Sequence, residues 1–317
     1  MGRSENAEAY RLYLQAQFFR DQLSKDRTAK GIEFFVQALQ MDPGYALAWA
    51  GLSRAYSDQA GQNWVPRAEG YAKARAAAER ALKLEPTLPE AHTALGWVQS
   101  SCDWDWKAAD ASFQRALELA PGSALAINAA ATLAGNVGRL HEAVDLFKRA
   151  TTMDPLNATI HRNLGLYALA ADIPEVAESA LNEALLLNPS GGLTNCWCAL
   201  LRLAQGRKDE AFEAATRETN EVFRLVVTAV VEHARGNFTE SDAALATLIE
   251  KCGEFSAYQV AGVYAYRNEP DSAFQWLEKT YAQRDPGVTY VKMDPLMRGL
   301  RTDPRWHPFI EKLGLAG

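Results

Sequence analysis

Residues 111–189 read ASFQRALELAPGSALAINAAATLAGNVGRLHEAVDLFKRATTMDPLNATIHRNLGLYALAADIPEVAESALNEALLLNP, and this stretch decides the fold. Its prolines Pro121, Pro155 and Pro189 are 34 residues apart. Working outward, Pro86 lies 35 residues before Pro121, and Pro43 lies 43 before Pro86, which implies an insertion of about nine residues. Three further positions keep step with the prolines. Five residues before each sits Ala38, Ala81, Ala116, Ala150 or Ala184; eight before, Phe35, Ala78, Phe113, Phe147 or Leu181; twelve before, Gly31, Ala74, Ala109, Ala143 or Ala177. Small residues at helical spacing let two helices approach closely, and the large one fills the hole between them. The proline follows a helix end, where its missing N–H and fixed φ cannot continue the helix.

The first helix of each unit is fainter. Trp49, Leu52 and Tyr56 fall on one helical face. The pairs Leu95–Gly96 and Leu164–Gly165 recur, and Gly138, Gly206 and Gly236 fall in the turn between paired helices. This pattern resembles the tetratricopeptide repeat family over nearly the whole chain. The resemblance implies an all-α, right-handed α-solenoid superhelix of about eight helix-turn-helix units in a single domain spanning residues 1–317. The units are expected at about 8–43, 44–86, 87–121, 122–155, 156–189, 190–222, 223–253 and 254–285, with a link and capping helix over 286–317. Units two to five match best; six and seven lack the closing proline. Two departures are expected: a long helix turn at Ser24 to Thr28, and an inter-helix insertion over 57–70 (SDQAGQNWVPRAEG).

The segments AYRLYLQAQFF (9–19), DWDW (103–106) and AFQWLEKTYAQRDPGVTYVKMDPLMRGLRTDPRWHPFIEKLGL (273–315) resemble a bacterial subfamily of these repeats. That subfamily forms the C-terminal part of signalling proteins whose N-terminal partners are winged-helix regulators, class III adenylate cyclases or serine/threonine kinases, often with a TolB-like segment. The resemblance implies a sensory or docking half whose effector half is absent, a start at Met1 fitting a fragment or a stand-alone relative. At the C-terminus, a solenoid needs a cap for its last apolar face. Asp303 and Pro304 read as an N-cap and first helical position; Trp306, Phe309, Ile310 and Leu313 form an amphipathic helix over 302–314. Tyr290, Val291 and Met293 read as an extended link packing on unit eight.

Composition excludes several classes. A net charge of −6, with basic residues scattered among acids, is not the footprint of a nucleic-acid binder. No run of 18 apolar residues suggests a membrane span, and the N-terminus lacks an apolar signal core, so a cytoplasmic chain or a fragment is expected. Of the four cysteines, Cys196 and Cys198 form a C-x-C pattern without further ligands at zinc-like spacing, so buried thiols are expected and no metal or cofactor.

No phosphate-binding glycine loop, G-x-S-x-G elbow or H-E-x-x-H occurs. His92 and His161 occupy equivalent positions in units three and five and read as packing or hydrogen-bonded histidines. Asp103 and Asp105 alternate with Trp104 and Trp106 as turn and capping residues, with the aromatics tucked under the next helix. No catalytic residue is expected, and the chain is not read as an enzyme.

In this fold the first helices of successive units line the concave face. Carried over residue by residue, the candidate partner-binding positions are Arg54, Trp97, Ser101, Asn128, Asn136, Arg162, Leu200, Val226, His233 and Tyr258. The groove reads as polar in the middle and apolar towards the C-terminus. Arg54, Trp97, Asn128 and Arg162 suit a peptide backbone, a carboxylate or an aromatic. The apolar half suits closure on the capping segment or on a second copy, since an open face of that kind would be an exposed patch. Some members of the family clamp a terminal carboxylate with Lys, Arg and Asn; that set is not reproduced here. The expectation is a protein-interaction scaffold for a peptide or protein in a bacterial signalling system, with a homodimer open. The alternative is a small-molecule sensor domain of a larger regulator.

Overall fold

The computed structural model describes residues 2, 4–22 and 24–316; Met1, Arg3, Leu23 and Gly317 lie outside the described residues, and with them the reading of Met1 as a start. Two compact units, Met1–Leu133 and Ala134–Gly317, are described in turn. The first holds α1 (Ala7–Arg20), α2 (Lys25–Met41), α3 (Ala46–Gly61), α4 (Arg67–Leu84), α5 (Pro89–Val98), α6 (Trp106–Leu119) and the start of α7 (Ala124–Asn136). The second holds the end of α7, then α8 (Leu140–Met153), α9 (Ala158–Ala170), α10 (Pro174–Leu187), α11 (Thr194–Ala204), α12 (Lys208–Arg217), α13 (Glu221–Arg235), α14 (Phe238–Cys252), α15 (Ala257–Tyr266), α16 (Pro270–Ala282) and α17 (Trp306–Lys312). Among the described residues there is no strand.

Helices pack in consecutive pairs: α1 with α2, α3 with α4, α5 with α6, α9 with α10, α11 with α12, α13 with α14 and α15 with α16. First helices also touch first helices, α1–α3–α5 in one unit and α9–α11–α13–α15 in the other, so each unit has a wall made of first helices. The recurring large residues Phe35, Phe113, Phe147 and Leu181 are buried, as are the alanines five residues before each proline. The Leu–Gly pair now has a physical cause. A Cβ on Gly165 would lie 2.5 Å from Leu181 Cγ, and one on Gly96 would fall inside the Phe113 ring's contact shell. Only glycine lets the second helix's large side chain rest against the first helix's backbone.

The turns inside the pairs share one geometry. Asn63, Trp104, Gly138, Asp172, Gly206, Gly236 and Asn268 all have left-handed φ, between 54° and 99°. In six of these turns the left-handed residue's N–H bonds the carbonyl three back, and the next N–H bonds the carbonyl five back from itself, as Gly206 to Leu203 and Arg207 to Arg202. This satisfies carbonyls that a helix end would otherwise leave bare. The turn at Trp104 is one residue longer: Gln99–Asp103 winds as a π turn, and the Trp104 N–H reaches Gln99 O. Such a turn admits an inserted residue without breaking the helix pair.

Four local expectations need correction. The stretch 57–70 is mostly helix, because α3 runs to Gly61 and α4 starts at Arg67, leaving 62–66 as the turn. Of Ser24 to Thr28, only Ser24 precedes α2, and Thr28 is buried within it. The extended link is two 3-10 turns, Pro286–Tyr290 and Pro295–Leu300. The capping helix starts at Trp306, because the Asp303 carboxylate accepts the Arg305 N–H and closes a separate turn first.

Candidate functional site

On the first unit's wall, α3 presents Arg54, Ser57 and Asp58, and α5 presents Trp97. The Arg54 guanidinium stands 5.2 Å from the Trp97 ring centroid, and Trp97 rests edge-on against Phe113 at 5.4 Å. Burial pulls the Arg54 pKa down to about 10, against the opposing charge of Asp58; burial also raises the Asp58 carboxyl. Three enclosed polar atoms here have no hydrogen-bond partner: Arg54 Nη1, Ser57 Oγ and Trp97 Nε1. Arg20 and Asp21, at the end of α1, are near enough to influence both Arg54 and Asp58. Ser101 is half-buried in the π turn, and Asn128 is half-buried on α7 with its carbonyl accepting the Thr132 hydroxyl.

On the second unit's wall the candidate residues are engaged. Asn136 is buried and accepts the Tyr167 hydroxyl at 2.7 Å. Leu200, Val226 and Tyr258 are buried. The Tyr258 hydroxyl donates to Asp294 Oδ2 at 2.8 Å, and its N–H donates to Asp285 Oδ2 at 3.3 Å. Arg162 donates to Gly192 O at 3.4 Å and to Asn163 Oδ1 at 3.5 Å. Burial lowers its pKa, and Tyr290 is close enough to act on it electrostatically. His233 is half-buried between Phe238 and Tyr266, its Nδ1 unpartnered; burial and then Arg267 lower its pKa.

His92, His161, Asp103 and Asp105 have structural partners. His92 and His161 bond the carbonyls of Pro86 and Pro155 through Nε2, at 2.9 and 3.0 Å, and Trp49 Nε1 donates to Pro43 O at 3.1 Å from the same repeat position. Asp105 caps α6 through the Ala108 N–H, and Asp103 pairs with Arg75, with Trp104 and Trp106 buried. Burial raises the Cys196 and Cys198 thiols, the latter to about 11, which keeps them protonated and unreactive at neutral pH. Among the described residues no group of three His, Cys, Asp or Glu side chains could hold a metal ion, and no helix is long and apolar enough to cross a membrane.

Paired helices at a 34-residue period, stacked through their first members, can be set beside known proteins. The fold is that of tetratricopeptide-type proteins. The solved APC/C hetero-tetramer Cut9–Hcn1 matches with a TM-score of 0.62 at 12% identity, over 85% of this chain and 53% of that one. Human IFIT1, solved as a dimer with m7Gppp-AAAA, matches with a TM-score of 0.60 at 13% identity, over 82% and 68%. In sequence the chain is similar to cellulose synthase operon protein C of Xanthomonas axonopodis pv. citri (strain 306), with 31% identity over 168 residues. That similarity covers 50% of this chain and only 11% of the relative's length. No family model matches the chain.

Proposed function

We propose that the chain is a non-catalytic protein-interaction module that holds a peptide or protein segment along the wall of the first unit. The observation that carries this is the cluster of partnerless polar atoms at Arg54, Ser57 and Trp97. A buried polar group left without a partner costs about 1–3 kcal/mol. An extended peptide carries both carbonyls, for the Arg54, Trp97 and Ser57 donors, and N–H groups, for Asp58. Arg and Trp also anchor interfaces more often than other residues do. The opposite charges of Arg54 and Asp58, near enough to act on each other, suit an uncharged backbone better than a strongly anionic ligand.

The setting we propose is a bacterial signalling or regulatory system in the cytoplasm, with this chain as the docking part beside a cyclase, kinase or winged-helix effector. The acidic charge of −6 supports a protein partner over direct nucleic-acid contact. The second reading, a small-molecule sensor, draws on the enclosure of the same three atoms, which could close over a compact ligand. A homodimer is compatible with either.

The test uses peptides selected from a random library on the wild-type chain. Their affinity should fall at least about tenfold, some 1.4 kcal/mol, in Arg54→Ala and Trp97→Ala. Binding left unchanged by both substitutions would remove this wall as the site. Saturable stabilisation by a metabolite, lost in the same variants, would favour the sensor.

A further inference from the structure

The chain after α16 contains a second repeat, with a period of nine. Asp285–Pro286, Asp294–Pro295 and Asp303–Pro304 follow one another at nine-residue steps. All three build the same turn. Each aspartate Oδ1 accepts the N–H two residues on, from Gly287, Leu296 and Arg305, at 2.9 Å in every case. Each aspartate carbonyl accepts the N–H three residues on, from Val288, Met297 and Trp306. The residues three and six after each aspartate are apolar: Val288 and Val291, Met297 and Leu300, Trp306 and Phe309. All are buried except Trp306, which is half-buried.

The first two turns lie on α15, whose surface is shaped for them. Gly287 sits so close to Tyr258 that a Cβ there would be 2.9 Å from its Cβ, Cγ and Cδ1. Gly262 leaves room for Leu296 and Met297, since a Cβ there would come within 3.2 Å of the nearest Leu296 carbon. Tyr258 gives its hydroxyl to Asp294 and its N–H to Asp285. From there the segment reaches back along the same unit. The Lys292 stem runs beside Gly138, Tyr290 and Asp294 act electrostatically on Arg162 and Cys196, and Arg298 donates to Leu169 O at 3.1 Å. The far tether is light, since the Arg298–Asp172 pair is 3.8 Å apart and largely in solvent.

We infer that the wall of the second unit is a docking groove for segments of the form Asp-Pro-x-φ-x-x-φ, where φ is apolar, and that residues 285–301 are its resident, autoinhibitory occupant. An external segment of the same form reaches Arg162, Cys196 and Tyr258 only when this strap leaves. Recognition rests on three features: a Tyr hydroxyl for the turn carboxylate, a glycine gap for the residues behind the proline, and an apolar floor for the two φ positions. This inference is independent of the peptide site on the first unit.

The probe is a fluorescent peptide of residues 285–301, added to the full-length chain and to its Asp294→Ala variant, which loses both the turn contact and the Tyr258 bond. Wild type should leave the peptide free, and the variant should bind it saturably at one site, with amide exchange in 286–300 at least about tenfold faster and 257–266 still protected. Equal binding to both chains would overturn the inference, as would a variant with intact helices and an exposed strap that ignores the peptide. Should Asp294→Ala melt the helices, Arg298→Ala decides. It removes only the outer tether, and exchange in 296–301 should rise about threefold or more with α15 unchanged; an unchanged rate there is evidence against a strap that can lift.

Discussion

At the scale of single residues, close backbone approach and burial set the main energies. Gly165→Ala would push a methyl group into Leu181, so a loss of about 1–3 kcal/mol is expected, read as a lower urea midpoint. His233 gives a pH test. Its folded pKa lies below the ordinary 6.5, because burial and Arg267 disfavour the imidazolium while Glu269 and Asp242 only partly offset them. The unfolded chain therefore takes up the proton first. Its contribution is complete above pH ~6.5 and is lost as pH falls from there through the lower folded value. Urea midpoints compared at pH 7.5 and 5.5 should show a decline that His233→Leu reduces. Sequence reading placed His92 and His161 as hydrogen-bonded packing residues, and the proline carbonyls that they meet agree. It could not foresee that Asn136 is spent on Tyr167, since that contact joins positions 31 residues apart with no spacing rule to announce it.

At the scale of elements, the helices were legible because small and large residues repeat at helical steps, and the in-pair turns because three of them carry glycine. The other four left-handed positions carry Asn63, Trp104, Asp172 and Asn268, which no glycine signal marks. Gly206 offers a clean measurement of turn strain, since a Cβ there would meet nothing within 4 Å. Gly206→Ala should cost about 1–2 kcal/mol from its φ alone, measured by thermal or urea unfolding. The strap stayed hidden for a different reason. Its nine-residue step matches neither the 3.6-residue period of a helix nor the two-residue period of a strand, so a search tuned to those reads it as link and cap. The recurring Asp-Pro pair was the available signal. The length of α3 and α4 was misread because the nine extra residues between Pro43 and Pro86 were assigned to the loop, whereas they mostly lengthen these two helices.

At the scale of the whole chain, stability in a repeat array is close to a sum over neighbours, so unfolding need not be all-or-none. With two compact units, urea transitions followed by tryptophan fluorescence and by far-UV circular dichroism should fail to coincide; superimposable curves would indicate one cooperative block. The strap has a consequence for how the protein is made. A ribosome delivers α9 through α15 before residues 285–301 exist, and synthesis proceeds at roughly 5–20 residues per second. For that interval the nascent second unit has its greasy side bare, and a truncated or C-terminally clipped product would keep it so. Such species are natural clients for chaperones and natural seeds of aggregation, so residues 285–301 also serve as the cover that this apolar face needs.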